Sequence, residues 1–279
     1  MRPKSIYIAA AAASVLVPLA LFLHTFSASP LPKPEPYTGP LPSATPPPDL
    51  AVFSVVTGVN HRVTAFGYRG GSLPHHGGGL RVVTPYRVWK PAVDQMKAAG
   101  YDQKSLRAIL LTHSHWDHVS GLPDFPGLPV WVTRQEHQFI RPGGQGQFGE
   151  SFTGIRYEEY GFEGGPYLGF PANHDVYGDG SIVVVPAPGH TPGGVIIFVT
   201  LANGTRYAFV GDLVWQLEGI TLREERPWIT RKGSDADAEG NRENLLRMIA
   251  LKERWPGLII VPAHDMRPFA EMPALNSNK

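Results

Sequence analysis

The sequence contains no cysteine among its 279 residues. Disulfides, thiolate metal sites and cysteine nucleophiles are therefore excluded, and any metal must be bound by histidine and carboxylate side chains. The chain also lacks an excess of either charge, because 25 Lys and Arg balance 24 Asp and Glu, so no basic surface for nucleic acid is expected. Glycine and proline are instead abundant, at 31 and 28 residues, which favours loops and short strands over a helical bundle.

Residues 1–26 have the pattern of a signal peptide or membrane anchor. Arg2 and Lys4 precede an apolar run from Ile6 to Leu23 that contains no Asp, Glu, Lys or Arg. A poor cleavage site around Ser27 favours a retained anchor, with a cleaved signal as the alternative. Both interpretations predict export, with the rest of the chain on the periplasmic or extracellular face and in contact with the membrane if the segment is uncleaved.

Two further regions follow this segment. Residues 27–49 include nine prolines and are predicted to be a Pro-rich linker, either an extended spacer or a disordered tail without a spacing role. Residues 50–279 are predicted to form one domain. The sequence leaves the oligomeric state open.

The domain alternates short strands with helices. The pattern predicts paired strands at 51–57 and 62–68, helices at 91–99, 134–140 and 241–255, and strands at 106–112, 129–133, 181–186, 195–201, 205–210 and 258–261. Residues 141–170 show no steady periodicity and are predicted to be a long loop or insertion. This order favours a layered α/β sandwich with helices outside two sheets.

One hexapeptide carries the metal-binding signal. The segment His113-Ser114-His115-Trp116-Asp117-His118 directly follows an apolar run. In an extended chain, residues two apart point to the same face, so His113 and His115 can approach one ion. If a helix then begins, Asp117 and His118 project toward a neighbouring position. Imidazoles and a carboxylate are the ligand set that zinc prefers.

Three later residues repeat one arrangement, in which a predicted strand is followed by a small residue or proline and then a ligand. His190 follows Pro188-Gly189, Asp212 follows Gly211, and His264 follows Pro262-Ala263. Each alone is typical of an ordinary loop. Together with the hexapeptide they predict a metal centre at the strand ends.

These seven residues resemble the signature of the metallo-β-lactamase superfamily, His-x-His-x-Asp-His followed by a later His, an Asp and a final His. The resemblance implies a four-layer αββα sandwich and two adjacent zinc ions. It also implies the ligands: His113, His115 and His190 for one ion, Asp117, His118 and His264 for the other, and Asp212 as a bridge. His rather than Glu at position 115 is similar to the zinc hydrolases of the family rather than to its di-iron redox branch.

The predicted activity is hydrolysis of a small ester, lactone or thioester by a metal-bound hydroxide, with Asp117 as both ligand and proton shuttle. The segment around His190 is similar to that of acyl-homoserine lactonase-like members. Those proteins typically carry Tyr three residues after the bridging Asp, where this chain has Trp215. The alternative is an iron-dependent redox enzyme or a non-catalytic metal-binding module.

Other polar and aromatic residues have weaker signals. His75 and His76 are expected in a Gly-rich loop near the mouth of the site. Glu136-His137 and His174-Asp175 are expected at the surface. Four aromatic residues are candidates for an apolar substrate wall or for the core: Phe148, Phe152, Trp215 and Trp228.

Overall fold

The computed structural model describes residues 3–25, 31–55, 58–59, 87–88, 91–145 and 154–275. Its strands are β1 (Gly58–Val59), β2 (Arg87–Val88), β3 (Ile109–Leu110), β4 (Val130–Thr133), β5 (Tyr157–Tyr160), β6 (His174–Asp175), β7 (Ile182–Pro186), β8 (Val195–Thr200), β9 (Arg206–Gly211) and β10 (Ile259–Pro262). Its α-helices are α1 (Pro3–Thr25), α2 (Ala92–Ala98), α3 (Trp116–Val119), α4 (Arg134–Ile140), α5 (Glu218–Thr221), α6 (Trp228–Ser234), α7 (Ala238–Arg254) and α8 (Met266–Ala270).

The larger sheet has five strands in the order β10-β9-β8-β7-β6. Strands β6 to β9 pair antiparallel as a meander, and β10 returns parallel to β9 after the helical segment α5 to α7. The turn between β8 and β9 contains Asn203 and Gly204, and Gly204 adopts a positive φ of 85° there. An Asn-Gly pair suits such a turn because glycine enters the left-handed region without steric cost.

The smaller sheet consists of β3, β4 and β5, all parallel. Helix α4 follows β4 directly, and Thr133 caps it by accepting a hydrogen bond from the backbone amide of Glu136. A separate two-stranded ribbon joins β1 to β2.

Alternating side chains of the sheets build a core in layers. In β8 every residue is buried: Ile196 and Phe198 pack toward α7, whereas Val195, Ile197 and Val199 face the smaller sheet. The outer face of the smaller sheet packs against α3 and α4 in a third cluster of apolar side chains. The layers are therefore helix, sheet, sheet and helix, and strand β8 at the centre buries both of its faces.

Most predicted elements are present with boundaries shifted by a few residues. One exception is the predicted strand 51–57, whose described residues 51–55 contain only an isolated bridge between Ser54 and Ala274. Gly58 and Val59, predicted as a turn, form strand β1 with Arg87 and Val88 as partners. The predicted strand at 62–68 lies outside the described residues. Strand β5 was missed within the predicted loop 141–170, since it contains only four residues between glycine-rich segments.

Residues of the Pro-rich segment contact the domain at Tyr37, Pro42 and Thr45. Tyr37 packs against Trp255 with ring centroids 5.5 Å apart. Arg206 donates a hydrogen bond to the carbonyl of Pro42 at 2.8 Å, and the amide of Thr45 donates to the carbonyl of Asp179. The segment is extended as expected, but its aromatic and carbonyl groups contact the larger sheet.

Helix α1 covers most of the apolar N-terminal segment and includes Pro18. Within the part of the chain that the structure describes, no helix reaches the combination of length and apolar character needed to cross a membrane.

Candidate metal centre

The seven predicted ligands lie on loops that leave the sheets at one edge. His113 comes shortly after β3, His190 after β7, Asp212 directly after β9, and His264 shortly after β10. Backbone hydrogen bonds hold these strand ends together. The amide of Val195 donates to the carbonyl of Thr112 at 2.9 Å, and the amide of Ala263 donates to the carbonyl of Gly211 at 3.0 Å.

The potential ligand atoms fall into three groups whose members lie within 4.8 Å of one another. The groups are His113, His115 and His190; His113, His118 and Asp212; and Asp117, His118 and His264. All seven sequence-predicted residues therefore come together. Because His113 and His118 are each shared between two groups, the site is one continuous cluster.

Asp212 lies between the two outer groups. Its Oδ1 is 3.3 Å from Nε2 of His118, while its Oδ2 is 3.2 Å from Nε2 of His264 and 3.4 Å from Nε2 of His190. On the far side of the cluster, Nδ1 of His115 lies 2.8 Å from Nε2 of His190. The carboxylate of Asp212 thus approaches three imidazoles, an arrangement that suits a shared metal ligand.

Buried polar atoms in the cluster lack the hydrogen bonds that burial requires. Nε2 of His113, Nε2 of His118 and Oδ1 of Asp212 are buried without a hydrogen-bond partner, although the last two approach each other. Buried polar groups in native proteins are almost always satisfied. Lone pairs that converge in this way fit one or more divalent cations, since a cation satisfies all of them at once.

The electrostatics of the cluster favour ligand-competent protonation states. Burial, together with the nearby His118, places the pKa of His113 well below its ordinary value. Burial and the adjacent His190 lower the pKa of His115 to about 4. Burial alone would raise the pKa of Asp212, but the imidazoles of His264 and His118 hold it well below its ordinary value. Near neutral pH the imidazoles of His113 and His115 are thus neutral and the carboxylate of Asp212 is ionised, as metal binding requires.

Asp117 is the more accessible of the two carboxylates. Its side chain is 23% exposed, compared with 4% for Asp212, and its Oδ2 lies 3.5 Å from Nε2 of His264. It belongs to the first turn of α3, which begins at the exposed Trp116. Asp117 therefore reaches both the cluster and solvent, while Asp212 is enclosed.

Glu136 supports the cluster from behind, which corrects its prediction as a surface residue. Only 2% of the residue is exposed. Its Oε1 accepts hydrogen bonds from the amide and the hydroxyl of Ser114, and its Oε2 accepts one from the amide of Gly193 at 3.0 Å. The Thr133-x-x-Glu136 spacing is the sequence pattern of a helix start, and it does not reveal that Glu136 contacts two ligand loops. A second missed carboxylate, Asp235, contacts His190 at 2.8 Å.

Glycine and asparagine residues bring the loops into position. Gly211 adopts a φ of 53°, and a Cβ there would lie 2.9 Å from Oγ1 of Thr112, next to His113. At the start of α7, Asn241 donates to the carbonyl of Leu213 at 3.2 Å, and Asn244 donates to the carbonyl of Pro188 at 2.8 Å. The same helix thus holds the loops of both Asp212 and His190.

The remaining candidates have different positions. His75, His76, Phe148 and Phe152 lie outside the described residues. His137 pairs with Glu159 away from the cluster, and His174 lies in β6. The Trp215 ring lies 5.6 Å from the His264 ring, whereas Trp228 lies on α6 with 37% of its surface exposed.

Two curated relatives that match part of this chain are named as hydrolases. A "probable metallo-hydrolase" of Mycobacterium tuberculosis is 32% identical over 187 residues, which cover 62% of this chain and 59% of that protein. An N-acyl homoserine lactonase of Rhizobium radiobacter is 30% identical over 132 residues, 45% of this chain and 48% of that protein. The similarity therefore spans less than two thirds of the length of either relative.

Solved structures share the fold. An N-acyl homoserine lactone hydrolase with the product N-hexanoyl-L-homoserine bound at its catalytic metal centre matches with a TM-score of 0.54 and 18% identity, over 71% of this chain and 72% of that chain. A quorum-quenching N-acyl homoserine lactone lactonase matches with a TM-score of 0.53 and 18% identity, over 68% of this chain and 71% of that chain. At the level of sequence, the family model described as the metallo-beta-lactamase superfamily matches residues 77–264. The chain therefore belongs to the metallo-β-lactamase superfamily.

Proposed function

We propose that the protein is a hydrolase that binds two divalent metal ions, expected to be zinc, and cleaves a small ester, lactone or thioester. The observation that carries the proposal is the convergence of seven ligand-type side chains into overlapping groups with Asp212 between them. Family membership and the names of the relatives support hydrolysis as the reaction class.

We assign the ligands according to the two outer groups. His113, His115 and His190 would hold one ion, and Asp117, His118 and His264 would hold the other. Asp212 would bridge them, because its carboxylate approaches His190 of the first group and both His118 and His264 of the second. Bound there, two divalent cations supply Lewis-acid activation of water and of a carbonyl oxygen.

The residues of the chain have separate tasks in this proposal. Asp117 is the proton-transfer residue, since its carboxylate lies in the cluster and remains accessible to solvent. Asp212 is enclosed and instead holds the two halves of the cluster together. Glu136 fixes the backbone at Ser114, between His113 and His115, and so limits how far these two imidazoles can move from their positions in the cluster.

The substrate is proposed to combine a carbonyl ester linkage with an apolar substituent. Trp116, which directly follows His115, and Met266, two residues after His264, are both exposed. They place apolar surface next to the ligand loops, where it can contact an acyl group. The lactonase names among the relatives favour a lactone, whereas Trp215 differs from the Tyr typical of that subgroup.

Metal analysis combined with a hydrolysis panel tests the proposal. We expect about two zinc ions per chain and turnover of an ester, lactone or thioester in a panel that also contains β-lactams. His113→Ala and Asp212→Asn should each lower the metal content, and each should lower the activity by about 100-fold or more. His137→Ala is the matched control, because this histidine pairs with Glu159 at the surface. Redox-active iron without hydrolysis of any panel substrate would overturn the proposal in favour of a redox enzyme, and metal binding without either activity would favour a binding module.

We also propose export, on the sequence of the N-terminal segment alone. Arg2 and Lys4 before the apolar run favour a cytoplasmic N-terminus and a translocated domain. Fractionation of cells that express the full chain, with mass spectrometry of its N-terminus, tests both export and cleavage. Recovery of the intact chain in the soluble cytosolic fraction would contradict this proposal.

A further inference from the structure

A buried ion pair lies behind His190, on the side opposite the metal centre. Nδ1 of His190 is 2.8 Å from Oδ1 of Asp235, and that oxygen also accepts a hydrogen bond from Nη2 of Arg226 at 2.5 Å. The side chains of Asp235 and Arg226 are 0% and 2% exposed. Burying an ion pair this completely costs free energy unless both charges are well matched. Its position beside a candidate ligand therefore suggests a role in the metal centre.

The backbone holds Asp235 against the loop of His190. The amide of Ala236 donates to the carbonyl of His190 at 3.1 Å, and the amide of Asp237 donates to the carbonyl of Gly189 at 2.8 Å. Asp237 then caps α7 by accepting hydrogen bonds from the amides of Glu239 and Gly240. The carboxylate of Asp235 therefore cannot shift relative to the imidazole without disturbing the start of the longest helix of the domain.

The two ring nitrogens of His190 face different environments. Nε2 faces the cluster, 2.8 Å from Nδ1 of His115 and 3.4 Å from Oδ2 of Asp212, whereas Nδ1 faces Asp235. Nδ1 also lies 3.4 Å from both Nη1 and Nη2 of Arg226. An ionised carboxylate only accepts hydrogen bonds, and the carboxylate of Asp235 is closer to Nδ1 than the carboxylate of Asp212 is to Nε2, so we assign the proton of a neutral ring to Nδ1. That tautomer leaves the lone pair on Nε2, which is the atom directed into the cluster.

Arg226 connects the pair to a second ligand loop. Its guanidinium lies 5.2 Å above the ring of Trp215, and that ring lies 5.6 Å from the ring of His264. A guanidinium over an indole face is attracted by the ring electrons. Arg226 thus contacts Asp235 on one side and the aromatic neighbour of His264 on the other.

We infer that Arg226 and Asp235 are positioning residues of the metal centre: Asp235 selects the tautomer of His190 that presents Nε2 to the metal, and Arg226 balances the charge of Asp235 and braces Trp215 against His264. The inference rests on the proposed metal-binding function of the cluster. Arg226 and Asp235 lie outside the proposed ligand set. The inference also gives a role to Trp215, which stands where lactonase-like members typically have Tyr.

The chain offers a matched control. Glu225, the neighbour of Arg226, is also buried and forms a two-point ion pair with Arg242, with both distances at 2.9 Å. Within the part of the chain that the structure describes, neither side chain forms a hydrogen bond with a ligand loop. Arg242→Met leaves Glu225 only its longer contact with Nη1 of Arg231, at 3.6 Å. This variant should therefore weaken a buried ion pair without the loss of histidine orientation.

The first measurement is the tautomer of His190 in the metal-free full-length protein, read by long-range ¹H–¹⁵N NMR of the imidazoles. The wild type and Arg242→Met should show a protonated Nδ1. The double variant Arg226→Met/Asp235→Leu should lose this tautomer preference, and because it removes both charges it avoids leaving either one buried alone. The single variant Asp235→Asn retains an acceptor oxygen, so it should keep the preference for a protonated Nδ1 at least partly. An unchanged tautomer in the double variant would overturn the inference.

The second measurement is zinc affinity, determined by competition with a chromophoric chelator. We expect the double variant to bind zinc about 10- to 100-fold more weakly, which is the usual effect of removing the partner of a ligating histidine. Asp235→Asn should lose less, and Arg242→Met should retain the wild-type affinity although its melting temperature falls. Equal zinc affinity of the double variant and the wild type would also overturn the inference.

These readouts separate the inference from the proposed function. If the protein hydrolyses no panel substrate while the double variant loses both tautomer preference and zinc affinity, the positioning roles hold and the hydrolase proposal fails. If the protein is an active zinc hydrolase and the double variant keeps both properties, the hydrolase proposal holds and the positioning roles fail.

Discussion

The carboxylate of Glu136 accepts hydrogen bonds from both the backbone amide and the hydroxyl of Ser114, each at 2.6 Å. Ser114 separates His113 from His115, so this contact fixes the backbone from which the first two imidazoles project. The other carboxylate oxygen accepts a hydrogen bond from Gly193, three residues after His190. One buried side chain thus ties two ligand loops together, and metal affinity should depend on it although it does not face the cluster.

We expect Glu136→Gln to weaken both the fold and the metal centre. Glutamine replaces one acceptor oxygen with a donor, so at least one of the amides of Ser114 and Gly193 loses its partner in a buried position. The free energy of unfolding should fall by about 1–3 kcal/mol, measured by urea denaturation, and zinc affinity should fall with it. Glu159→Gln is the control, because Glu159 pairs with Arg134 and His137 at the surface. Equal effects of the two substitutions would contradict the supporting role of Glu136.

Gly211→Ala should distort the centre through a steric clash. The new Cβ would lie 2.9 Å from Oγ1 of Thr112 and 3.3 Å from Nδ1 of His113, so the His113 loop must move. Gly204→Ala introduces the same residue at another positive φ, with nothing within 4 Å of the new Cβ. Both variants should lose about 1 kcal/mol or more of stability from backbone strain, measured by thermal unfolding. Only Gly211→Ala should reduce zinc stoichiometry, and normal zinc binding by this variant would show that the loop tolerates the displacement.

The metal-free protein should lose stability as the pH falls from about 6.5 toward 4. Burial lowers the pKa of His113 and brings that of His115 to about 4, while in the unfolded chain both imidazoles titrate near their ordinary value. Across this window the unfolded state binds more protons, so stability decreases with decreasing pH by up to about 1.4 kcal/mol per unit for each imidazole. The stabilising ionisation of Asp212, whose pKa is lowered, disappears only at still lower pH. Urea denaturation at a series of pH values measures the slope, and His115→Asn should make it shallower. A flat profile between pH 6.5 and 4 would contradict this account.

Zinc should stabilise the folded protein by an amount set by its concentration. At a free zinc concentration 100 times the dissociation constant, binding to one site stabilises the native state by about 2.7 kcal/mol, provided that the unfolded chain binds no zinc. Differential scanning fluorimetry with and without zinc measures this shift in melting temperature. Asp212→Asn should abolish most of the shift because Asp212 faces both halves of the cluster, whereas His137→Ala should retain it. A full shift in Asp212→Asn would argue against a bridging role.

Local sequence patterns correctly predicted the elements whose signal lies in their own residues. Helix α4 and strand β4 were predicted within one residue of their observed limits, because a run of β-branched and aromatic residues followed by a Thr cap is a purely local signal. Strand β5 was not predicted, since its four residues include Glu158 and Glu159 and it is stabilised by parallel pairing with β4. Such pairing depends on a partner far away in sequence, and composition alone does not reveal it.

Glu136 and Asp235, which support the metal centre, also depend on partners that are distant in the sequence. Glu136 lies 22 positions from Ser114, and Asp235 lies 45 positions from His190. Neither residue belongs to a motif with ligand spacing, and an acidic residue near a helix end is typical of an exposed cap. The prediction of Glu136 at the surface was wrong because its burial is compensated only by donors from two distant loops.

The sequence by itself determined the chemistry available to this protein: without cysteine, a metal centre had to be built from imidazoles and carboxylates, and the placement of seven such residues after strands identified them. Tertiary structure decided how these side chains are held, because the parallel pairing of β9 with β10 sets Asp212 beside His264 and buried carboxylates orient the histidine loops. Ligand types are local properties of the chain, whereas the orientation of a ligand depends on hydrogen bonds between segments that only folding brings together.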